Sequence, residues 1–166
     1  MEKTFFKATH QGDLDLDGYV IEAYNLDNNQ RVLSRIGFLK AIGRTGKAKG
    51  GRAYDAEFKT PVFLSANNLK PLIDNDLIEN SKPVFFKDLN NNDCIGYDAT
   101  LLPKVMYVYA SAYDRGILKP NQIHVGKRCQ KGVKAFLSVA ITSLVDEATG
   151  YQYDREAKEL QKIFKL

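Results

Sequence analysis

The chain reads as an α+β domain in which β-hairpins pack against helices, with a long amphipathic helix toward its C-terminus. Three observations predict this. Runs rich in β-branched and aromatic residues are separated by Asp17-Gly18, Asp27-Asn28-Asn29 and Asn90-Asn91-Asn92, residues that suit tight turns. The apolar spacing changes from strand-like to a 3–4 rhythm in the last third. The composition, 44% hydrophobic and 27% charged over 166 residues with 9 Phe and 9 Tyr, supplies one core and excludes disordered, collagen-like and coiled-coil classes.

Element by element, Tyr19-Val20-Ile21-Glu22-Ala23-Tyr24 is a strand behind the Asp17-Gly18 turn. A short strand, Arg31-Val32-Leu33, runs into Ser34, a good N-cap, and a helix is expected with Ile36, Leu39 and Ile42 along one side up to Gly43. Three glycines (Gly46, Gly50, Gly51) make the following basic segment a loop. Pro61-Val62-Phe63-Leu64 predicts a strand, and Ser65 or Asn67 a helical turn through Leu69, Leu72 and Ile73. Val84-Phe85-Phe86-Lys87 and Cys94-Ile95-Gly96-Tyr97 form a second hairpin.

A helix starts at Asp98 or Thr100, with Pro103 favouring Thr100, because proline is tolerated in a first turn and costs about 3 kcal/mol deeper inside. It buries Leu101, Val105, Val108, Tyr109 and Ala112 and ends at Gly116. Pro120 opens the longest helix, with an apolar face at Val125, Cys129, Val133, Phe136, Ala140, Leu144 and Ala148 and a stop at Gly150. A last amphipathic helix is expected from about Asp154 to Phe164. The stretch from Leu26 to Ile42 also aligns without gaps on that from Leu89 to Val105, with four of seventeen positions identical, suggesting a degenerate hairpin-helix repeat. A single domain over 1–166 is expected, with a first hairpin-helix half over 1–60 and a second, carrying the C-terminal helices, over 61–166.

Charge is segregated. Seven basic residues and no acid lie between Arg31 and Arg52, and six more with no acid lie between Arg115 and Lys134, so these stretches hold 13 of 24 cations. The remaining 11 cations face 20 carboxylates, leaving the rest of the chain at about −9. A positive face that attracts a polyanion is therefore expected. Its contacts would be Arg31, Arg35, Arg44, Lys47, Lys49 and Arg52 from the first stretch and Lys127, Arg128, Lys131 and Lys134 from the long helix. Solvated faces whose charges meet acids in space are the competing reading.

Other motifs carry less. Asp13-Leu14-Asp15-Leu16-Asp17-Gly18 begins like a calcium loop, but its twelfth position is Tyr24 in place of a bidentate glutamate, and an edge strand with carboxylates outward explains it better. Gly43-Arg44-Thr45-Gly46-Lys47-Ala48 lacks the first glycine and the magnesium-binding hydroxyl of a phosphate loop. Asp146 and Glu147 point about 100° apart on a helix, so they fit surface charges or partners of Arg155 better than a catalytic pair. His10 and His124 stand alone, and no cofactor or metal is expected. Two cysteines, Cys94 and Cys129, are too few for a disulfide framework and fit a reducing, cytoplasmic setting. No apolar run has membrane-spanning length.

Arg31-Val32-Leu33-Ser34, Gly37-Phe38-Leu39-Lys40-Ala41-Ile42-Gly43-Arg44, Pro61-Val62-Phe63-Leu64-Ser65-Ala66, Gly96-Tyr97-Asp98-Ala99 with Leu102-Pro103, and Asp146-Glu147-Ala148-Thr149-Gly150-Tyr151-Gln152 together resemble the P-sixty-three-C family of phage and bacterial proteins. The last heptad is the most specific part. The resemblance implies a mobile-element context and supplies no catalytic residues. In that family a further C-terminal domain normally follows, so the chain is expected to be a stand-alone N-terminal module or a truncation. A hairpin beside a basic helix is also loosely similar to the N-terminal modules of phage antirepressors, many of which are thought to bind DNA.

The expectation is thus a non-enzymatic, phage-type regulatory protein binding nucleic acid, duplex DNA first, through the basic loop and helix face. Its alternatives are a protein-interaction module acting on a host protein, as inhibitor or adaptor, and an enzyme of unrecognised type with a pocket holding Asp98, Asp146, Glu147 or His124.

Overall fold

Asp17 and Gly18 both adopt positive φ (55° and 90°), which is what a two-residue hairpin needs to follow the twist of its strands. The turn joins β1 (Phe6–Leu16) to β2 (Tyr19–Leu26) in an antiparallel pair. Asn29, at φ 67°, turns the chain into β3 (Arg31–Ser34), and Asn91, at φ 65°, joins β6 (Val84–Lys87) to β7 (Asp93–Asp98). A computed structural model describes residues 5–44, 54–55 and 60–166. Its remaining strands are the two-residue pair β4 (Tyr54–Asp55) and β5 (Thr60–Pro61).

The two hairpins do not stand apart. β3 pairs antiparallel with β7, and β1 runs parallel to β6 at Phe6 and Lys7, closing a five-stranded barrel in the order β1-β2-β3-β7-β6. Strands from both expected halves of the chain therefore share one sheet. β3 can lie against β7 because residue 96 is glycine: a Cβ there would sit 2.3 Å from the Leu33 carbonyl oxygen. Within β1 the carboxylates of Asp13 and Asp15 face water while Leu16 is buried, as the alternating pattern predicts.

Alternation gives the barrel two apolar surfaces. Tyr24, Leu26, Val32 and Phe86, with Ala8, Val84 and Cys94 against them, come from all five strands and fill its interior. Leu16, Ile21, Leu33 and Tyr97 point the other way, into a larger core shared with the helices. There Phe38, Phe63 and Tyr97 pack at ring separations of 5.1–5.4 Å.

Helix α1 (Arg35–Ala41) starts where expected, with Ser34 Oγ accepting from the Gly37 amide at 3.1 Å. Its buried side is Gly37, Phe38 and Ala41, and Ile36 is exposed, contrary to the periodicity; at two turns the helix is too short for spacing alone to orient it. The expected strand at Pro61 gives way after that residue to a 3-10 turn, Val62–Leu64, followed by a second over Asn67–Leu72. Helix α2 (Asn75–Asn80), capped by Asp74 accepting from Leu77, was not expected.

Helix α3 (Leu101–Asp114) follows Thr100 and buries the five residues expected of it. Helix α4 (Ile123–Thr149) is 27 residues long, preceded by a single 3-10 turn at Pro120 and ended by Gly150 in the left-handed conformation. α3 and α4 run antiparallel, with Gly126 against Tyr113 and Gly132 against Met106. Helix α3 has only 14 residues, so the distal part of α4 outruns it. Ala140, Leu144 and Ala148, expected in the core, are accordingly exposed.

In place of one last helix, the C-terminal segment makes a 3-10 turn (Tyr151–Tyr153) and a short α5 (Glu159–Ile163). It folds back, with Phe164 stacked edge-on to Phe136 at 4.7 Å and the Leu166 amide donating to Asp17 in the first hairpin turn.

Candidate nucleic-acid interface

The two basic stretches meet where α1 ends against the first turns of α4. Arg128 reaches from α4 to α1, its Nε donating to the Ala41 carbonyl oxygen at 2.8 Å, while its guanidinium lies 3.6 Å from the centre of the Tyr19 ring. Gly43 lies so close that a Cβ on it would be 3.0 Å from Arg128 Cδ and 4.0 Å from Val125 Cα. This contact sets Gly43, at the end of α1, beside the first turns of α4. Arg44, the last described residue before the loop, directs Nη1 to the Tyr109 hydroxyl at 3.3 Å. That hydroxyl donates in turn to the Phe63 carbonyl oxygen, and burial pushes its pKa above the usual value, the nearby Arg44 only partly opposing this.

On α4, Lys127, Lys131 and Lys134 are exposed, at positions i, i+4 and i+7 that share a face. Arg115 and Lys119, also exposed, stand in the connection leading to the start of α4. The ion pairs among the described residues join Lys82 to Glu79, Lys87 to Asp93 and Arg155 to Asp146. Neither Arg44 nor any of the four α4 cations is paired with a carboxylate among the described residues, although Gln130, between them on α4, donates to the Asp114 carboxylate at 2.7 Å.

Other expected contacts fall elsewhere. Arg31 opens β3 and donates to the Asn29 carbonyl oxygen; it pairs in register with Asn25, six residues along β2 from Tyr19 and so about 20 Å from the Arg128 contact. Arg35 begins α1 and lines a separate groove of about 350 Å³ with Glu22, Tyr24, Lys40 and Cys94. The structure does not bring these two arginines to the α4 face. Lys47, Lys49 and Arg52 lie outside the described residues.

Beside Arg44, a cleft of about 460 Å³ is walled by Tyr109, Ser65, Asn121, Gln122 and His124. Sequence reasoning missed Tyr19 and Tyr109, the aromatic residues that hold Arg128 and Arg44 in place. No local spacing marks them, because both contacts span more than 60 residues.

The groups named for an unrecognised enzyme do not converge. His124 and Asp146 are 22 residues apart on one helix, about 33 Å. Asp98 closes β7, where burial raises its pKa but the hydrogen bonds from Thr100 and Gln30 outweigh this and leave it below the usual carboxylate value. Asp146, nearly buried, is held by Arg155 at 3.0 Å, and the Thr149 hydroxyl accepts from the Tyr151 amide. The heptad containing Asp146 is therefore a device that ends α4 and folds the C-terminal segment back. Among the described residues no cluster of His, Cys, Asp and Glu has metal-binding geometry, and no helix is long and apolar enough to cross a membrane.

No protein-family model, curated protein or solved structure matches this chain.

Proposed function

We propose that the chain is a non-enzymatic regulatory module that binds nucleic acid, with duplex DNA the expected polyanion, through the flank where α1 meets α4. One observation carries this reading. The Arg128 bridge to Ala41 sets the end of the first acid-free basic stretch beside the second, and Arg44, Lys127, Arg128, Lys131 and Lys134 are not paired with carboxylates among the described residues. Lys127, Lys131 and Lys134 would lie along the phosphates, and the loop that follows Arg44 would add Lys47, Lys49 and Arg52. Phosphate contacts of this kind orient a protein on a duplex without reading its sequence. The context of a phage or mobile element rests on the family resemblance alone.

The test is a titration of random-sequence duplex at several salt concentrations. With about six phosphates neutralised, log affinity falls against log salt with a slope near −5. Changing Lys127, Lys131 and Lys134 to Glu abolishes the shift, and a flat salt response in the wild type rejects the proposal. The alternative of a module acting on a host protein has a different support, the apolar stripe that Leu137, Ile141, Leu144 and Val145 expose on distal α4.

A further inference from the structure

Strand β1 runs past its neighbour in the barrel. β6 pairs with it only at Phe6 and Lys7, whereas β2 follows it to Leu16, so from His10 to Leu14 the far edge of β1 meets no strand among the described residues. One contact fixes the direction of the main chain there. The Asp15 amide donates away from β2, to Gln161 Oε1 of α5 at 2.8 Å, and in an antiparallel pair the residues bonded across alternate with residues whose groups point outward. The register is unbroken from His10 to Leu16, so the N–H and C=O of Gln11 and Asp13 point outward as well. No described residue bonds to any of these four groups. Gly12, between them, is exposed, and a Cβ on it would meet nothing within 4 Å. A row of unpaired backbone donors and acceptors on an open edge is a template for one more strand.

We propose that this edge takes an extended, basic segment of a partner protein, added to β1 through main-chain hydrogen bonds at Gln11 and Asp13. The carboxylates choose the sign of the partner. Asp13 stands directly opposite Glu22, on the same face of the hairpin, and like charges so opposed disfavour the pair that carries them. The Glu22 carboxylate accepts from the Tyr24 hydroxyl at 2.8 Å and shares a groove with Arg35 and Lys40, and Asp15 shares a hollow with Lys158, Lys162 and Lys165 at the turn. Asp13 is exposed at the open edge and forms no ion pair among the described residues. A lysine or arginine beside it on an incoming strand offsets its repulsion from Glu22. A second copy of β1 would instead bring its own Asp13 and Asp15 against these carboxylates. The inference stands independently of the nucleic-acid reading.

The experiment offers the full chain two pools of displayed peptides about seven residues long, one with Lys or Arg at alternate positions, the other with Glu there, and both with Val, Thr or Ile between. The basic pool yields binders and the acidic pool none. On binding, the Gln11 and Asp13 amides, which exchange fast in the free chain, slow by at least about tenfold when hydrogen exchange is read residue by residue. Asp13→Asn weakens the same peptide about threefold. N-methylation of every second peptide amide abolishes binding in one frame and is tolerated in the other, a readout that leaves the protein unaltered. An absence of binders in the basic pool, binders that leave both amides exchanging as before, or equal tolerance of both N-methylation frames would each overturn the proposal. Slowed exchange on raising the protein concentration alone would assign the edge to a second copy and overturn it too.

Discussion

The guanidinium of Arg128 is shared between the face of Tyr19, at 3.6 Å, and the carbonyl oxygen of Ala41, at 2.8 Å. One side chain of α4 thus ties the first barrel hairpin and the end of α1 to the long helix. It is half-buried and flat, and it engages these two partners in a way that no lysine could reproduce, since an ammonium has neither the planar face nor the fixed Nε direction.

Arg128 should therefore behave differently from its neighbours. Arg128→Ala is expected to lower stability by about 2 kcal/mol through the lost charge-assisted hydrogen bond and ring contact, and Arg128→Lys to recover only part of it. Lys131→Ala should leave the melting temperature unchanged and reduce the salt slope of duplex binding by about 1. Thermal melts beside salt titrations of the three variants separate the anchoring role from the charge. Equal melting temperatures for all three would contradict the anchoring role.

The pair formed by Asp146 and Arg155 gives a second expectation. Asp146 is only 7% exposed, and truncating Arg155 leaves its carboxylate nearly buried without a counter-ion. Arg155→Ala is expected to cost about 3 kcal/mol, with loss of protection in the C-terminal segment before the barrel. The double change with Asp146→Asn should cost less than the sum, measurable as a coupling in denaturant titrations.

Cys129 is fully buried on α4 against the end of α1, and burial pushes its thiol up to about 12, the nearby Arg128 opposing only weakly. The unfolded chain ionises this thiol near its ordinary value of about 9, so the folded state alone keeps the proton between these values. Its contribution is therefore complete below about pH 9 and is lost as pH rises toward 12, at up to about 1.4 kcal/mol per pH unit. Alkaline denaturation of Cys129→Ala should show a shallower fall over that window. The native thiol should resist alkylation at pH 8, whereas half-buried Cys94 should react slowly.

Much of the local architecture was legible in the chain. Asp17-Gly18, Asn29 and Asn91 take the positive φ that turns demand, and Ser34, Thr100 and Gly150 mark helix ends where they were expected, because these preferences act within a few residues. Ala140, Leu144 and Ala148 were misplaced for a different reason. Periodicity shows that a helix has an apolar side but not whether a neighbour is long enough to cover it.

The candidate interface divides in the same way. The sequence by itself determined the number and clustering of the cations, the turns, and an α+β class with a long terminal helix, since all of these are properties of composition and short-range sterics. Barrel closure, by β1 on β6 and β3 on β7, was decided by tertiary structure, as was the meeting of the two basic stretches at Arg128, Tyr19 and Ala41. These contacts join residues 60 to 110 positions apart, and their free energy comes from side chains packing in three dimensions, which no spacing along one chain encodes.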